Sequence, residues 1–214
     1  MTLALVLTCR PQWRAWLDHQ LAKQEFMHTL IVFDDSSTAQ TWPSNSVVIR
    51  TNDRLKLSLG EKRQLVLLAA ERYEEPFAWF DDDDWHPRCR LTMGAKLINE
   101  AAVDAVGYHT GLFCDVKSLQ TRRLDTGDRL CFNGAVYAPH CAKARFQPLN
   151  RGEDTTWQRS VLKDATIVSS PDMEHCWMSH EGNVTGKRGS MSFEGPKFKH
   201  FDSWELEFLR NLRA

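Results

Sequence analysis

The sequence predicts an α/β fold, with a mostly parallel central sheet flanked by helices. Short continuous apolar runs, as strands buried on both faces require, alternate with segments of helical apolar spacing. Three of these runs end in polar clusters: Thr8-Cys9-Arg10, Asp34-Asp35 and Asp81 to Asp84. In an open α/β sheet, ligands gather beyond the carboxyl ends of the strands, so three such clusters predict one shared site.

Leu3 to Leu7 is the first strand candidate, broken by Arg10-Pro11. Trp13, Trp16, Leu17 and Leu21 then recur at helical spacing, so a strand-to-helix turn is expected at Thr8 to Pro11. Thr29 to Phe33 is a second strand, stopped by Asp34-Asp35-Ser36-Ser37, and Val47 to Ile49 a third. Gly60 opens a second helix, with Leu65, Leu68, Ala69 and Arg72 expected on its buried face. Phe77 to Phe80 is a fourth strand and runs into four aspartates. The second half is less regular. Helices are expected at Leu91 to Asn99 and Gly152 to Leu162, and strands at Ala105 to His109, Leu130 to Tyr137 and Ile167-Val168. Gly182 to His200 is glycine-rich, with Lys187, Arg188, Lys197 and Lys199 against Glu194 alone, and is expected to be a mobile loop. Trp204 to Leu212 predicts a short amphipathic helix. No repeat or linker divides the chain, so one domain is expected over 1–214.

A chain of 214 residues can bury a substantial core, and 42% hydrophobic with 26% charged residues is ordinary for a globular protein. The net charge of −1 rules out a global basic field of the kind that announces nucleic acid. The six cysteines show no C-x-x-C pair and no zinc-like spacing, so reduced thiols are expected. The apolar run near the N-terminus is too short for a signal peptide, and no stretch reaches the roughly 18 apolar residues of a membrane span. A cytoplasmic enzyme is the expectation.

Four consecutive carboxylates at a strand end repel one another strongly in a partly desolvated crevice. A divalent cation with hard oxygen ligands, Mg²⁺ or Mn²⁺, would relieve that repulsion and bridge to substrate phosphates. The plainer alternative is a solvated acidic turn.

Several motifs in order resemble the GT-A glycosyltransferases, especially family 2. They are Thr8-Cys9-Arg10-Pro11, Phe33-Asp34-Asp35-Ser36-Ser37, Gly60-Glu61-Lys62-Arg63, Phe80-Asp81-Asp82-Asp83-Asp84-Trp85-His86-Pro87 and Gly152-Glu153-Asp154. The resemblance covers about residues 3 to 165 and implies a single GT-A, Rossmann-like domain. Its nucleotide-binding half is residues 1–100, its acceptor and catalytic half 101–181, its loop 182–200 and its C-terminal helix 201–214.

The resemblance further implies a metal-dependent, inverting transfer of sugar from a nucleotide-sugar donor, UDP-linked, to a hydroxyl acceptor. Thr8 and Asp35 then contact the nucleoside, with Asp34 beside them, and Arg10 also lies at the donor. Arg63, with Lys62, reaches the donor from its helix, unless these two are a solvated helix face. Asp81, with Asp82, lies near the ribose and Asp83 on the metal, Mn²⁺ or Mg²⁺. Because all four positions are Asp, the register can slip by one, which keeps Asp84 in reserve. Asp154 is the general base, or simply a helix cap. His180 is a second metal ligand, or a packing residue. Arg188 and Lys187 clamp the diphosphate. Gly134 lets the donor sugar approach the backbone, or marks a strand bulge. The second motif has serine where the family often has glycine or asparagine, and the Gln-x-x-Arg-Trp motif of membrane synthases is absent, which argues against a processive synthase.

Two other classes compete. A nucleotidyltransferase also places carboxylates at strand ends, but usually with a glycine-rich first loop, and Thr8 to Pro11 has no glycine. A non-catalytic nucleotide-sugar-binding module would not need Asp154. The acceptor stays open among a glycan, a small molecule and a hydroxymethylated DNA base; the aromatic and basic tail keeps the last in view.

Overall fold

In the computed structural model, which describes residues 1–8, 10–25, 28–51, 56–127, 129–180 and 193–213, the first apolar run forms β1 (Thr2–Thr8). Every residue of β1 except Leu7 is buried. Such a strand must be central, and β1 lies between β2 (His28–Asp34) and a strand that ends in the acidic run, parallel to both. After β3 (Val47–Ile49) outside β2, that acidic strand is β4 (Phe77–Asp81). The main sheet continues through β5 (Ala105–Gly107), β8 (Val136–Tyr137) and β9 (Ile167–Ser169), in the order β3-β2-β1-β4-β8-β5-β9. Only β8 runs against its neighbours. A second sheet has the order β10-β6-β7, from β6 (Thr110–Asp115), β7 (Thr121–Asp125) and β10 (His175–Ser179).

Five helices of eight or more residues surround these sheets among the described residues: α1 (Arg14–Ala22), α2 (Leu59–Ala70), α3 (Arg90–Ala101), α4 (Glu153–Val161) and α5 (Ser203–Arg213). None is long and apolar enough to cross a membrane. A capping box starts α2: Glu61 N–H donates to Ser58 Oγ at 3.3 Å, and Ser58 N–H donates to Glu61 Oε2 at 2.7 Å. Its buried face differs from the expected one. Gly60, Arg63, Val66, Leu67 and Ala70 face inward, whereas Leu68 is 40% exposed and Arg72 is also exposed. Four consecutive apolar residues, Leu65 to Leu68, leave the phase of the helix undetermined by periodicity. The ion pairs of Arg63 described below select it.

Two further expectations are corrected. Leu130 to Tyr137 is not one strand; it holds a 3₁₀ turn at Phe132–Gly134 and then the two-residue β8. Of the expected loop, the described residues 193–200 are pinned to the body. Gly195 N–H donates to Thr121 O at 3.0 Å, Phe198 is buried, and Lys197 bridges Gln120. A Cβ at Gly195 would come within 2.3 Å of Thr121 O, so this glycine serves close approach rather than flexibility. The rest of the expected loop, 182–192, lies outside the described residues.

The main core fills the space between the large sheet and its helices. A second cluster joins Trp13, Trp16 and Trp85 to Cys114, Cys176 and Met178 of the small sheet and to Phe201 and Leu209 near and on α5. Glu205, 1% exposed, fastens α5 here: its carboxylate accepts from Gln20 Nε2 at 2.6 Å, Lys23 Nζ at 2.7 Å and Trp85 Nε1 at 3.3 Å. It also accepts from Asp202 N–H at 2.9 Å, while Glu205 N–H donates to Asp202 Oδ1 at 2.8 Å.

Candidate active site

The carboxyl ends of β1, β2 and β4 meet in one cavity of about 320 Å³, as the three polar clusters predict. The first turns of α2 and α4 and one residue of β10 complete its wall. Asp82, Asp83 and Asp84 are all buried, so the acidic run is not a solvated turn. The chain compensates the charge itself. Arg10 pairs with Asp82 and, through Nη1 at 2.5 Å, with Asp83 Oδ2. Thr8 Oγ1 donates to Asp82 Oδ2 at 2.9 Å. Burial works against the Arg10 charge, but attraction to Asp83 and Asp82 outweighs it and raises its pKa. Burial also dominates at Asp82, pushing its carboxyl up to about 6 despite Arg10. At Asp83 burial is overcome by His180 and Arg10, and the carboxyl is held below its ordinary value.

Arg63 lies between Asp81, at 3.4 Å, and Glu153, at 3.2 Å, with its guanidinium over the rings of Trp79 and Phe132. Burial disfavours its charge, yet Asp81, Glu153 and Asp154 together raise its pKa. Arg63 thus ties the end of β4 to the start of α4. Its Nε and one terminal nitrogen bond to those carboxylates, while the residue also lines the cavity. The Asp81 side chain keeps 29% of its surface exposed, but burial still raises its pKa, opposed by Arg63.

The structure sorts the remaining expected residues. Thr8, Arg10, Asp35, Lys62, Arg63, Asp81 to Asp84 and Asp154 line the cavity. Lys62 is paired with Asp35 rather than lying free on a helix face. Asp34 does not line it. Its carboxylate is buried and accepts from Ser36 N–H at 3.0 Å, Gln40 N–H at 3.1 Å and Arg50 at 3.0 Å, which organises the loop after β2. Burial opposes it, but the bonds from the Ser36 hydroxyl and N–H, Gln40 N–H and Trp42 Nε1 hold it below its ordinary pKa. Gly134 does not line the cavity either. A Cβ there would come within 2.8 Å of His175 Cβ, so its smallness serves packing against β10, not the approach of a sugar. Asp154 stands in the first turn of α4, after Gly152 at φ 71°. No side chain caps that helix at Gly152, and Asp154 accepts from the next N–H, of Thr155, at 2.6 Å. His180 Nε2 lies 2.8 Å from Asp83 Oδ2. Lys187 and Arg188 fall outside the described residues.

Ligand atoms sharing one octahedral cation at about 2.1 Å sit about 3 Å apart. The Asp83–His180 separation suits that, and a carboxylate with an imidazole is a donor set Mn²⁺ accepts. Arg10 Nη1 lies 3.4 Å from His180 Nε2 and 2.5 Å from Asp83 Oδ2. Among the described residues, three ligand-type side chains converge only at His19, Asp202 and Glu205. There the Lys23 ammonium pairs with Glu205, His19 with Asp202, and the acidic pair caps α5, so that cluster is structural.

Sequence reasoning missed four site residues. Asn133 Nδ2 donates to Asp81 Oδ2 at 2.5 Å and Asp84 Oδ2 at 3.2 Å, so one amide spans the acidic run. Asn150, Arg151 and Trp177 also line the cavity. Behind it, buried His175 places Nε2 3.1 Å from Asp84 Oδ2. The polar pair Asn150-Arg151 just before Gly152-Glu153-Asp154 was a usable signal; Trp177 had none, because β10 itself was not foreseen.

This fold is that of the GT-A-type glycosyltransferases. Among solved structures it is similar to S. aureus TarS in complex with UDP, with 19% identity and a TM-score of 0.65 over 84% of this chain and 61% of that one. TarS in complex with UDP-GlcNAc gives 18% identity and 0.67 over 86% of this chain and 60% of that one. The mannosyltransferase PcManGT of Pyrobaculum calidifontis, in complex with GDP-Man and Mn²⁺, gives 15% identity and 0.59 over 85% and 57%. This chain therefore spans about three fifths of the length of the solved chains it resembles. No family model matches the sequence, and no curated protein matches it.

Proposed function

We propose that this chain is a metal-dependent, inverting glycosyltransferase that moves a sugar from a UDP-linked donor to a hydroxyl acceptor. One observation carries the reading: the acidic run, Thr8, Asp35 and Asp154, far apart in sequence, border a single cavity at the strand ends of a GT-A fold. The complexes of similar proteins with UDP, UDP-GlcNAc and GDP-Man support a nucleotide-sugar donor. In this reading Thr8, Asp35 and Lys62 hold the nucleoside, Asp81 the ribose, and Arg10 the diphosphate, with Arg188 added from outside the described residues. Asp83 and His180 would hold Mn²⁺ or Mg²⁺, which would offset charge on the departing diphosphate. Asp154 accepts the proton of the acceptor hydroxyl. The freed oxygen then attacks the anomeric carbon as the bond to the diphosphate breaks, and one displacement inverts the centre. In this reading the chain works in the cytoplasm, where thiols stay reduced. The acceptor is a glycan, a small molecule or a hydroxymethylated DNA base.

Calorimetry with UDP, in Mn²⁺ and in EDTA, tests this. Affinity at least about tenfold weaker in EDTA is expected. Equal affinity in both removes the metal from the reading, and no binding of UDP or GDP in either removes the donor.

A further inference from the structure

Resting on the glycosyltransferase reading, we propose that Trp177 is the platform of a carbohydrate acceptor subsite, so that the acceptor class is a glycan bound through the face of a pyranose ring. Two aromatic side chains line the cavity among the described residues, Phe33 and Trp177. Phe33 belongs to β2, two strands from β4 in the sheet order, at the end where Leu7, Asp35 and Lys62 offer apolar and polar groups to a nucleoside. Trp177 lies on β10 of the small sheet, two residues from His175, which packs on Gly134 just before β8, the strand on the opposite side of β4 from β1 and β2. That position suits the molecule receiving the sugar rather than the nucleotide giving it.

The indole is braced for such work. It stacks on Phe113, its register partner across the sheet, with centroids 4.9 Å apart and planes at 23°. His175 meets it edge-on, with centroids 4.9 Å apart at 90°. It also covers Gly111, where a Cβ would come within 2.3 Å of the ring, so only glycine at 111 admits an indole in this place. A ring already fixed on three sides loses little conformational freedom when a ligand arrives. It is half-buried and lines the cavity. A pyranose presents a face of C–H groups that packs on a flat aromatic surface, with its hydroxyls at the rim. Asn150, Arg151 and Asp154 line the same cavity and supply polar partners for that rim.

The test uses the full chain labelled with 5-fluorotryptophan, the Trp177 resonance being assigned by its loss in Trp177→Phe. Lactose, cellobiose and N-acetyl-lactosamine serve as probes, each added to protein already saturated with UDP and Mn²⁺. At least one sugar is expected to shift the Trp177 signal and leave most of the other seven in place. Trp177→Ala should weaken that sugar about tenfold, Trp177→Phe only a few-fold, with UDP affinity within about twofold in both. If UDP moves the Trp177 signal and no sugar does, or if Trp177→Ala weakens UDP as much as sugar, the residue is a nucleotide platform and the proposal falls. If UDP fails to bind wild-type protein while a sugar still shifts Trp177, the donor reading fails and the carbohydrate subsite stands.

Discussion

The carboxylates of Asp81 to Asp84 and those of Asp202 and Glu205 are both balanced by donors from the same chain, yet of the two groups the first borders the strand-end cavity and the second does not. At Glu205 every donor is an internal strut: Gln20 and Lys23 from α1 and its end, Trp85, and the backbone of Asp202. Removing Lys23 would take away the ammonium that faces this buried carboxylate, with no open space from which a ligand could replace it. At the acidic run the donors Arg10, Arg63 and Asn133 themselves line the cavity, so an incoming ligand or cation can take over part of their role. Internal compensation alone therefore does not distinguish a site from a structural cluster. What distinguishes them is whether the compensating groups also face open space.

The largest effect should come from the cavity side. Asp154→Asn is expected to lower sugar transfer by about 10²- to 10⁴-fold while the UDP dissociation constant stays within about twofold. Near wild-type transfer would reduce Asp154 to a residue of the helix terminus. Glu205→Ala should do the reverse, costing about 3 kcal/mol of stability in urea unfolding and leaving UDP affinity unchanged. A parallel loss of UDP binding would show that the two clusters are coupled and break the comparison.

The smallest effect is one of pH. The folded-state pKa of Asp82 is raised from 3.8 to about 6, chiefly by burial. A raised carboxyl binds its proton more tightly in the folded chain, so its contribution is full below about pH 4 and is lost as pH rises through about 6. Wild type should therefore lose stability relative to Asp82→Asn between pH 4 and 7, on the order of 2 kcal/mol. A difference that is flat, or grows with pH, would mean that Arg10 governs Asp82 more strongly than burial does.

The α/β fold, the first four strands and the polar strand ends were legible in the sequence. A strand buried on both faces must be apolar throughout, and Leu3 to Leu7, Thr29 to Phe33 and Phe77 to Phe80 meet that demand with nothing outside themselves. The helix after Glu153-Asp154 was legible for a similar local reason. The small sheet was not: β7 is largely exposed, and β10 carries His, Cys, Trp, Met and Ser, a mixture with no clean period. Its strands exist because they pair with one another and pack on Trp85 and α5, contacts distant in sequence. The same distinction divides the site. Residue type and strand ends pointed to which carboxylates gather. Tertiary structure alone decided that Asp34 turns into its own loop, that Arg63 chooses the face of α2, that Gly134 yields to His175, and that Trp177 reaches the cavity. Each of those outcomes depends on a partner dozens of residues away or on competition among nearby donors, and local periodicity carries no information about either.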